Sequence, residues 1–368
     1  MSVDVSARFS SPKDAIPAGA IPLTDRKIRQ YHTLRASGLS NDEAVAKLSA
    51  AALDFTGPGA VEIGLFEKEI VDLVRRESPT LAVVRAGKAS GQPHRYLEQT
   101  GIATGAFVDP RNVSPTATGP TRVEKYGTLK AITAQSNLSQ FDVAVTKNQG
   151  IFEELEAKDI LDVASACVVT SAGALWDGTD TSLSAPTTLQ YMGLLRQVTQ
   201  QATINPGASI IDGIKRQVAL MMANETYKVR PDVIFANPLL IDYIEQEAKA
   251  MQIILGDVEV APGVHVMAIN TQAGKIPIVP DPYIPTDTAA NYGFAAPAAG
   301  FKNYYCMVGV RSMLQRPYMP VGYDSPFPQI YQLGLTGNLQ GQFVGVLYDC
   351  IIAMGASYAH SVIAVVRP

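Results

Sequence analysis

The stretch GIFEELEAKDILDVASACVVTSAGALWD, Gly150–Asp177, decides the fold. Its apolar side chains recur at the three- and four-residue spacing of a helix with one buried stripe. Its acidic residues fall in the first turns, where they favour the positive end of the helix dipole. The pattern predicts a helix over residues 150–174, followed by a turn at Gly178. At about 1.5 Å per residue this helix would span roughly 35–40 Å, so we interpret it as a spine helix around which the chain is organised.

Helical and strand patterns alternate after the spine helix, which is typical of an α/β or α+β layer. Helices are predicted over 189–201, 210–224 and 239–250, and strands over 233–236, 264–270, 275–279, 304–310, 313–316, 329–335 and 343–349. Residues 351–366 are rich in Ile, Val and Ala and predict a final strand, or a strand–turn–strand, that returns alongside the spine helix.

A long hairpin is predicted before the spine helix. Strands are predicted over 81–85, 92–98 and 122–134, and residues 99–121 are rich in Gly, Thr and Pro. The segment has few large apolar residues but many charged ones, namely Arg85, Lys88, Arg95, Glu98, Arg111, Arg122, Glu124, Lys125 and Lys130. Because an isolated two-stranded hairpin is only marginally stable in water, this one should lie on another surface. That surface is either its own domain or a neighbouring subunit, and the length of the hairpin favours the neighbour.

The N-terminal residues predict an extended arm with short helices over 25–36 and 42–53, followed after a Gly-Pro-Gly break by a helix over 61–77. The first helix is basic, with Arg26, Lys27, Arg29 and Arg35. These residues form either a solvated face or a surface that faces a polyanion.

The composition limits the classes of function that the chain can have. The 368 residues are 47% apolar and only 17% charged, below the roughly 25% charged of ordinary soluble domains. Either copies of the chain cover much of its surface, or the chain has a large core. The net charge of −4 gives no global nucleic-acid signal. The longest uninterrupted apolar runs are too short for a bilayer, and no targeting segment is evident at the N-terminus, so we expect no membrane and a reducing site of folding.

No catalytic constellation is evident in the sequence. The three cysteines are isolated and the four histidines are scattered, which argues against a disulfide framework or a structural zinc. The cysteines are predicted to be buried apolar fillers. Asp281, Asp287 and Asp324 lie in Pro-rich loops, where Asp is a common turn former. We therefore predict no enzyme activity, no metal and no cofactor.

Three segments and their order resemble a known family. SAGALWDGTD at 171–180 resembles the end of a spine helix, KVRPDVIFANPLLIDYIEQEA at 228–248 resembles a strand leading into a helix opened by Asn-Pro, and IPIVPDP at 276–282 resembles the strand that follows. Together, with the hairpin before the spine helix, they resemble a tailed-bacteriophage major capsid protein with the HK97-like fold. The resemblance covers roughly residues 61–368.

The resemblance implies an α+β, HK97-like capsid fold with an N-terminal arm, an extended β-hairpin loop, a spine-helix peripheral domain and an α/β axial domain. Its implied boundaries are 1–60 for the arm with short helices, 61–84 for the arm helix and lead-in strand, 85–134 for the extended loop, 135–187 with 324–368 for the peripheral domain, and 188–323 for the axial domain.

The resemblance also implies partners. The chain would assemble with itself through pentamers and hexamers into an icosahedral shell around double-stranded DNA, in a virion assembled in the host cytoplasm. The charged hairpin residues would contact a neighbouring subunit, and the basic N-terminal helix would touch DNA non-specifically on the inner face. A portal and a decoration protein would be further partners. The region before the Gly-Pro-Gly break is too short for a cleaved scaffolding segment, which predicts a separate scaffold or none. No hairpin lysine matches a cross-linking motif.

Two alternatives stay open at this point. One is a nanocompartment shell of the same fold, such as an encapsulin, whose cavity would hold cargo protein instead of DNA. The other, from a different class, is an α/β enzyme whose site is assembled from distant loops.

Overall fold

The computed structural model describes residues 33–34, 36–38, 40, 78–105, 107, 109, 111, 118–149, 155–252, 255–261, 264–322, 324–333 and 340–368. The chain divides into two compact units, Met1–Lys68 and Glu69–Pro368, and the elements below belong to the second. Several predictions fall outside the described residues: the helices over 42–53 and 61–77 and the basic residues Arg26, Lys27, Arg29 and Arg35.

Six helices occur in the described part of Glu69–Pro368. They are α1 (Pro79–Val83), α2 (Gln140–Gln149), α3 (Leu155–Asp177), α4 (Leu194–Gln197), α5 (Ile210–Met222) and α6 (Pro238–Ala250), with a 3₁₀ turn at Arg311–Met313. The spine helix is α3, and the part of its prediction over 150–154 lies outside the described residues. Helix α6 begins as predicted, with Pro238 in the first turn and the Asn237 side chain accepting from the Leu239 N–H.

Sixteen strands lie in the same described part of the chain. They are β1 (Arg85–Lys88), β2 (His94–Gly101), β3 (Thr121–Gly127), β4 (Lys130–Ser139), β5 (Gln201–Ile204), β6 (Val233–Ala236), β7 (Gly256–Ala261), β8 (Val264–Thr271), β9 (Gly274–Pro280), β10 (Thr286–Asp287), β11 (Lys302–Gly309), β12 (Leu314–Met319), β13 (Gln329–Leu333), β14 (Gln340–Asp349), β15 (Ile352–Ala353) and β16 (Ser361–Arg367).

The spine helix packs on a six-stranded sheet. Strand β14 pairs with β4 along one side, and with β13 and then β12 along the other, while β1 and β15 pair with β12. Residues of β14 alternate between buried and half-buried, as a strand with one covered face should. Gly345 lies on the buried face, where a Cβ would come within 2.8 Å of the Val163 side chain and 3.1 Å of Cys167 Sγ. Its missing side chain therefore lets the helix approach the sheet.

An eight-stranded mixed sheet forms the second layer, in the order β5-β16-β11-β6-β9-β8-β7 with β10 beside β11. Successive residues of its central strands enter two different cores. In β6, for example, Phe235 joins the core that holds the end of the spine helix, and Ile234 joins the core under α5 and α6. Burial on both faces explains why these strands are continuous apolar runs instead of alternating ones.

The last strand corrects one prediction. Strand β16 pairs with β11 on one side and with β5 on the other, so it lies inside the eight-stranded sheet and not alongside the spine helix. A fully apolar strand needs cover on both faces. Val362 and Ala364 enter one core and Ile363 and Val365 enter the other, so the layers on the two sides of the sheet supply that cover.

Three local predictions are also wrong. Residues 79–83 form a helix instead of a strand, with Pro79 in its first turn. The predicted strand over 122–134 breaks at Thr128, whose N–H donates to the Leu183 carbonyl, so β3 and β4 belong to different sheets. The predicted helix over 189–201 is a single turn, α4, because residues from Gln201 onward pair with β16.

Candidate assembly interface

The hairpin of β2 and β3 is a separate two-stranded sheet. Directly paired residues of an antiparallel ladder point to the same face, so its register defines an outer face formed by Arg95, Leu97, Gln99, Arg122, Glu124 and Tyr126. All six of these side chains are exposed. The chain's own described residues therefore leave this face free.

Apolar side chains are unusually prominent on the hairpin. Leu97 is 68% exposed on the outer face and Val123 is exposed on the opposite face. Ile102 and Phe107, beyond the end of β2, are also exposed. These exposed residues lie on the segment that the sequence predicted to contact a neighbour.

Ion pairs on the outer face add little to stability. Arg95 Nη1 lies 3.3 Å from Glu124 Oε1, and both side chains are more than half exposed. Exposed pairs of this kind contribute about 0–1 kcal/mol. They are better suited to setting the register of a partner than to holding the hairpin together.

The inner face of β2, opposite the outer face, is held by the chain itself. The Glu98 side chain is buried, lies 2.6 Å from Lys125 Nζ across the ladder, and accepts a 2.8 Å hydrogen bond from the Gly355 N–H. The sequence grouped Glu98 with the intersubunit contacts. That assignment needs correction, because the carboxylate is committed to contacts within its own chain.

Aromatic packing also holds the C-terminal end of β2, toward the hairpin tip. The rings of Tyr227 and Tyr358 stack with centroids 3.9 Å apart, and the Tyr227 hydroxyl donates to the Thr100 carbonyl at 3.2 Å. Burial, and then the nearby Glu98 carboxylate, raise the pKa of Tyr96 well above its usual range, so this phenol stays neutral at physiological pH.

Three predicted hairpin residues lie on other elements. Arg85 and Lys88 belong to β1, and Lys130 begins β4. Lys88 Nζ lies 3.5 Å from Asp324 in an exposed pair. Lys130 is largely buried, 3.6 Å from Asp180 and 2.5 Å from the Thr188 carbonyl. Lys130 therefore joins the loop after the spine helix to the six-stranded sheet, which corrects its assignment to the hairpin. Arg111 is exposed near the hairpin tip, as predicted.

The loop after the spine helix closes on a buried carboxylate, Asp180. Burial opposes its ionisation, but backbone N–H donors from Thr187, Thr181 and Thr188 outweigh that effect, so the pKa of Asp180 lies below its usual value. The charged carboxylate thus organises the turn that the sequence predicted at the end of the helix.

Two glycines let the chain turn back immediately after the spine helix. A Cβ on Gly178 would lie 2.1 Å from the Tyr191 carbonyl oxygen, and one on Gly193 would lie 2.4 Å from the Trp176 carbonyl oxygen. The Gly193 N–H donates to the Gly178 carbonyl at 3.1 Å. The sequence predicted the turn at Gly178, whereas only the structure shows its pairing with Gly193.

Asp281 ties the end of the spine helix to the eight-stranded sheet. It is fully buried, and its Oδ2 accepts from Trp176 Nε1 at 3.0 Å and from the Ser78 hydroxyl at 3.3 Å. Its Oδ1 accepts from the Tyr283 N–H at 2.9 Å, which is the turn-forming role expected from the sequence. The bond to Trp176 spans 105 residues of sequence and could not be read from local pattern.

A second buried carboxylate joins the spine helix to its sheet. Asp349 Oδ2 accepts from Arg316 Nε at 3.0 Å and from the Ser171 hydroxyl at 2.7 Å. Burial raises the pKa of Asp349, although the Arg316 guanidinium and the Ser171 hydroxyl oppose that rise. Sequence analysis missed this pair, since Arg316 and Asp349 lie in different strands with no motif linking them.

The described residues include no group of His, Cys, Asp and Glu side chains that could hold a metal ion. All three cysteines are buried and free, and burial raises the pKa of Cys306 and of Cys350 to about 12. The prediction that they act as apolar fillers is confirmed in each case.

One helix in the described part of the chain, Glu156–Asp177, is long and apolar enough to cross a bilayer by length and composition. Here Val163, Cys167 and Leu175 pack it into the core, and Ser171 donates to the buried Asp349. These contacts account for its apolar stripe as a core helix of the two sheets.

Comparison with solved structures identifies the fold. The chain is similar to the structure of the holo-SrpI encapsulin complex from Synechococcus elongatus PCC 7942, with a TM-score of 0.54, 13% identity, and coverage of 85% of this chain and 94% of that one. It is similar to the capsid of a native GTA particle, with a TM-score of 0.57, 12% identity, and coverage of 83% and 96%. For the capsid of cyanophage A-1(L), the TM-score is 0.54, the identity 14%, and the coverage 84% and 98%.

No protein-family model and no curated protein matches the sequence. The likeness is therefore one of structure at 12–14% identity, and it extends over nearly the whole length of each solved chain. It agrees with the order of hairpin, spine helix and mixed sheet described above. The chain has an α+β fold, and that fold is the HK97-like capsid fold.

Proposed function

We propose that the chain is a major capsid protein, a structural protein without catalytic activity. It assembles through pentamers and hexamers into an icosahedral shell that encloses double-stranded DNA. The observation that carries the proposal is the exposed outer face of the hairpin. The opposite, inner face of β2 is fixed to the rest of the chain by Glu98. A ribbon with uncovered apolar side chains is marginal in water, and a neighbouring copy supplies the missing cover.

The likeness to phage, GTA and encapsulin shells supports the same function. Within this proposal, residues 1–60 are the arm, the hairpin is the extended loop, and the spine helix with the six-stranded sheet is the peripheral domain. Residues 188–323, except strand β12 of the six-stranded sheet, form most of the axial domain. Strand β16 adds to the axial domain, since it pairs with β11 and β5.

The proposed partners follow from a closed shell. They are further copies of the chain, a separate scaffolding protein, a portal, a decoration protein, and packaged DNA contacted non-specifically by Arg26, Lys27, Arg29 and Arg35. The location is the virion, after assembly in the host cytoplasm, with no membrane. Repeated interfaces of large area suffice for this role, and no reacting site is needed.

Electron microscopy and light scattering of the expressed chain test the proposal. Closed shells, tubes or ring-shaped capsomers support an assembly protein. A chain that stays monomeric when concentrated with crowding agents, both alone and together with its scaffolding protein, contradicts it. The contents of the particles distinguish a capsid from a nanocompartment. Nuclease-protected DNA in particles from the natural source supports a capsid, and a co-purifying cargo enzyme with no DNA supports a nanocompartment instead.

A further inference from the structure

A cationic cleft lies on the eight-stranded sheet beside β7, where β6 and β9 begin and β11 ends. It encloses about 250 Å³. Its charged lining consists of Arg230, Asp232, Lys275 and Arg311, and its apolar walls include Val258 and Pro277. Three cations and one carboxylate give the lining a formal charge of +2. The assembly proposed above makes no use of this cleft.

Arg230 is fixed in the cleft by the backbone. Its Nε and Nη2 donate to the Ala273 carbonyl at 2.9 and 2.6 Å. These two bonds use two of the five N–H donors of the guanidinium. Because the Ala273 carbonyl holds the guanidinium in place, little side-chain entropy is lost when its remaining donors bind a ligand.

The single carboxylate of the cleft is already engaged. Asp232 Oδ1 accepts from the Arg311 N–H at 2.8 Å, and its Oδ2 lies 3.6 Å from Arg311 Nε. By contrast, Lys275 is exposed, and no acceptor among the residues that the structure describes bonds to its Nζ. The fixed Arg230 guanidinium and the unpaired Lys275 ammonium thus remain available to a ligand. They lie beside the Asp232–Arg311 pair, whose charges cancel.

We propose that this cleft binds the phosphate group of a small molecule, or free phosphate itself. The planar guanidinium matches phosphate oxygens in a bidentate manner, and the ammonium adds a point charge. Arg230 and Lys275 are both exposed, so a ligand reaches them directly from solvent. The inference concerns one subunit and does not depend on shell assembly.

Isothermal titration calorimetry in buffer free of phosphate and sulfate tests the site. Wild type should bind inorganic phosphate saturably, and Lys275→Gln should weaken binding at least tenfold. Lys275→Arg should restore binding to within about threefold, because it returns the charge. Lys302→Gln, which removes an exposed cation outside the cleft, should leave it unchanged.

A sugar phosphate titrated in parallel separates the two sources. Tighter binding than that of phosphate assigns the site to a phosphorylated metabolite, and equal binding assigns it to phosphate alone. Thermal unfolding without ligand should be the same in Lys275→Gln and wild type, which separates loss of the site from misfolding. Absence of saturable phosphate binding by wild type, or equal binding by Lys275→Gln, would overturn the proposal.

Discussion

Apolar side chains are buried in the eight-stranded sheet but exposed on the hairpin. In the sheet, consecutive residues such as Ile234 and Phe235 are fully buried in two different cores. In the hairpin, Leu97 and Val123 are exposed, and the bonds to the rest of the chain are made by β2 at Glu98 and Thr100. The comparison separates residues that make the fold from residues that remain available to a partner. Substitutions in the first group should lower stability, and those in the outer face should spare it.

The largest loss of stability should come from breaking the buried pair of Arg316 and Asp349. Arg316→Leu leaves an uncompensated carboxylate and should cost about 3–5 kcal/mol at neutral pH. Burial raises the folded-state pKa of Asp349, so folding favours its protonated form and its contribution worsens as the pH rises through that pKa. The loss should therefore be smallest at acidic pH. Urea unfolding from pH 4 to 7 measures it.

Arg311→Leu is the matched control for this variant. Its ion pair with Asp232 is about 40% exposed on both sides, so the cost should stay below about 1 kcal/mol. Equal losses for the two variants would show that burial does not set the strength of these pairs.

A slightly smaller loss is expected at the turn after the spine helix. Gly178→Ala places a Cβ 2.1 Å from a backbone oxygen that cannot move aside, and should cost about 3 kcal/mol. Gly173→Ala, within the spine helix and with open space around it, should stabilise by up to about 1 kcal/mol. Thermal unfolding of both variants tests the pair; tolerance of Gly178→Ala would mean that this turn is not closely packed.

A loss of stability between those of the preceding and the following variants is expected at the inner face of β2. Glu98→Gln keeps an oxygen for the Gly355 N–H but loses the charge that faces Lys125. Because Lys125 is 47% exposed, solvent screens the pair, and the loss should be about 1 kcal/mol. Hydrogen exchange should become faster in β2 and β3 and stay unchanged in β6. Unaltered exchange in the hairpin would indicate that other contacts hold the inner face of β2.

The smallest change in stability is expected on the outer face. Leu97→Ser should alter the free energy of unfolding by less than about 0.5 kcal/mol, as exposed substitutions usually do. Under the proposed function the same variant should raise the protein concentration needed for assembly, measured by light scattering. Unchanged assembly, with unchanged stability, would remove the outer face from the interface.

Local pattern sufficed for elements with strong periodicity or clear caps. The spine helix, α5, α6 and strands β6, β8, β9 and β11 follow the predicted ranges closely, whereas β5, β7 and β10 were not predicted. It failed where a distant partner decided the outcome. Residues 189–201 form one helical turn because β5 pairs with β16, and α2 was not predicted because its sequence lacks a clear apolar stripe.

The candidate interface was predicted in part. Arg95, Arg122 and Glu124 do lie on an exposed ribbon, because alternation and turn residues identify a hairpin from sequence. Leu97 and Phe107 were not singled out, since an apolar residue carries no mark of its exposure. Glu98 and Lys130 were grouped with the hairpin charges, and their burial depends on Gly355 and Asp180.

The sequence by itself determined the spine helix, the turn at Gly178, the Asn-Pro start of α6 and the order of elements that resembles capsid proteins. These features depend on backbone preferences and short-range periodicity, which are local. Only the tertiary structure decided that β16 enters the eight-stranded sheet, that Trp176 bonds to Asp281, and that Arg316 neutralises Asp349. Those outcomes follow from burial, which requires every apolar face to be covered and every buried charge to find a partner, however distant in sequence.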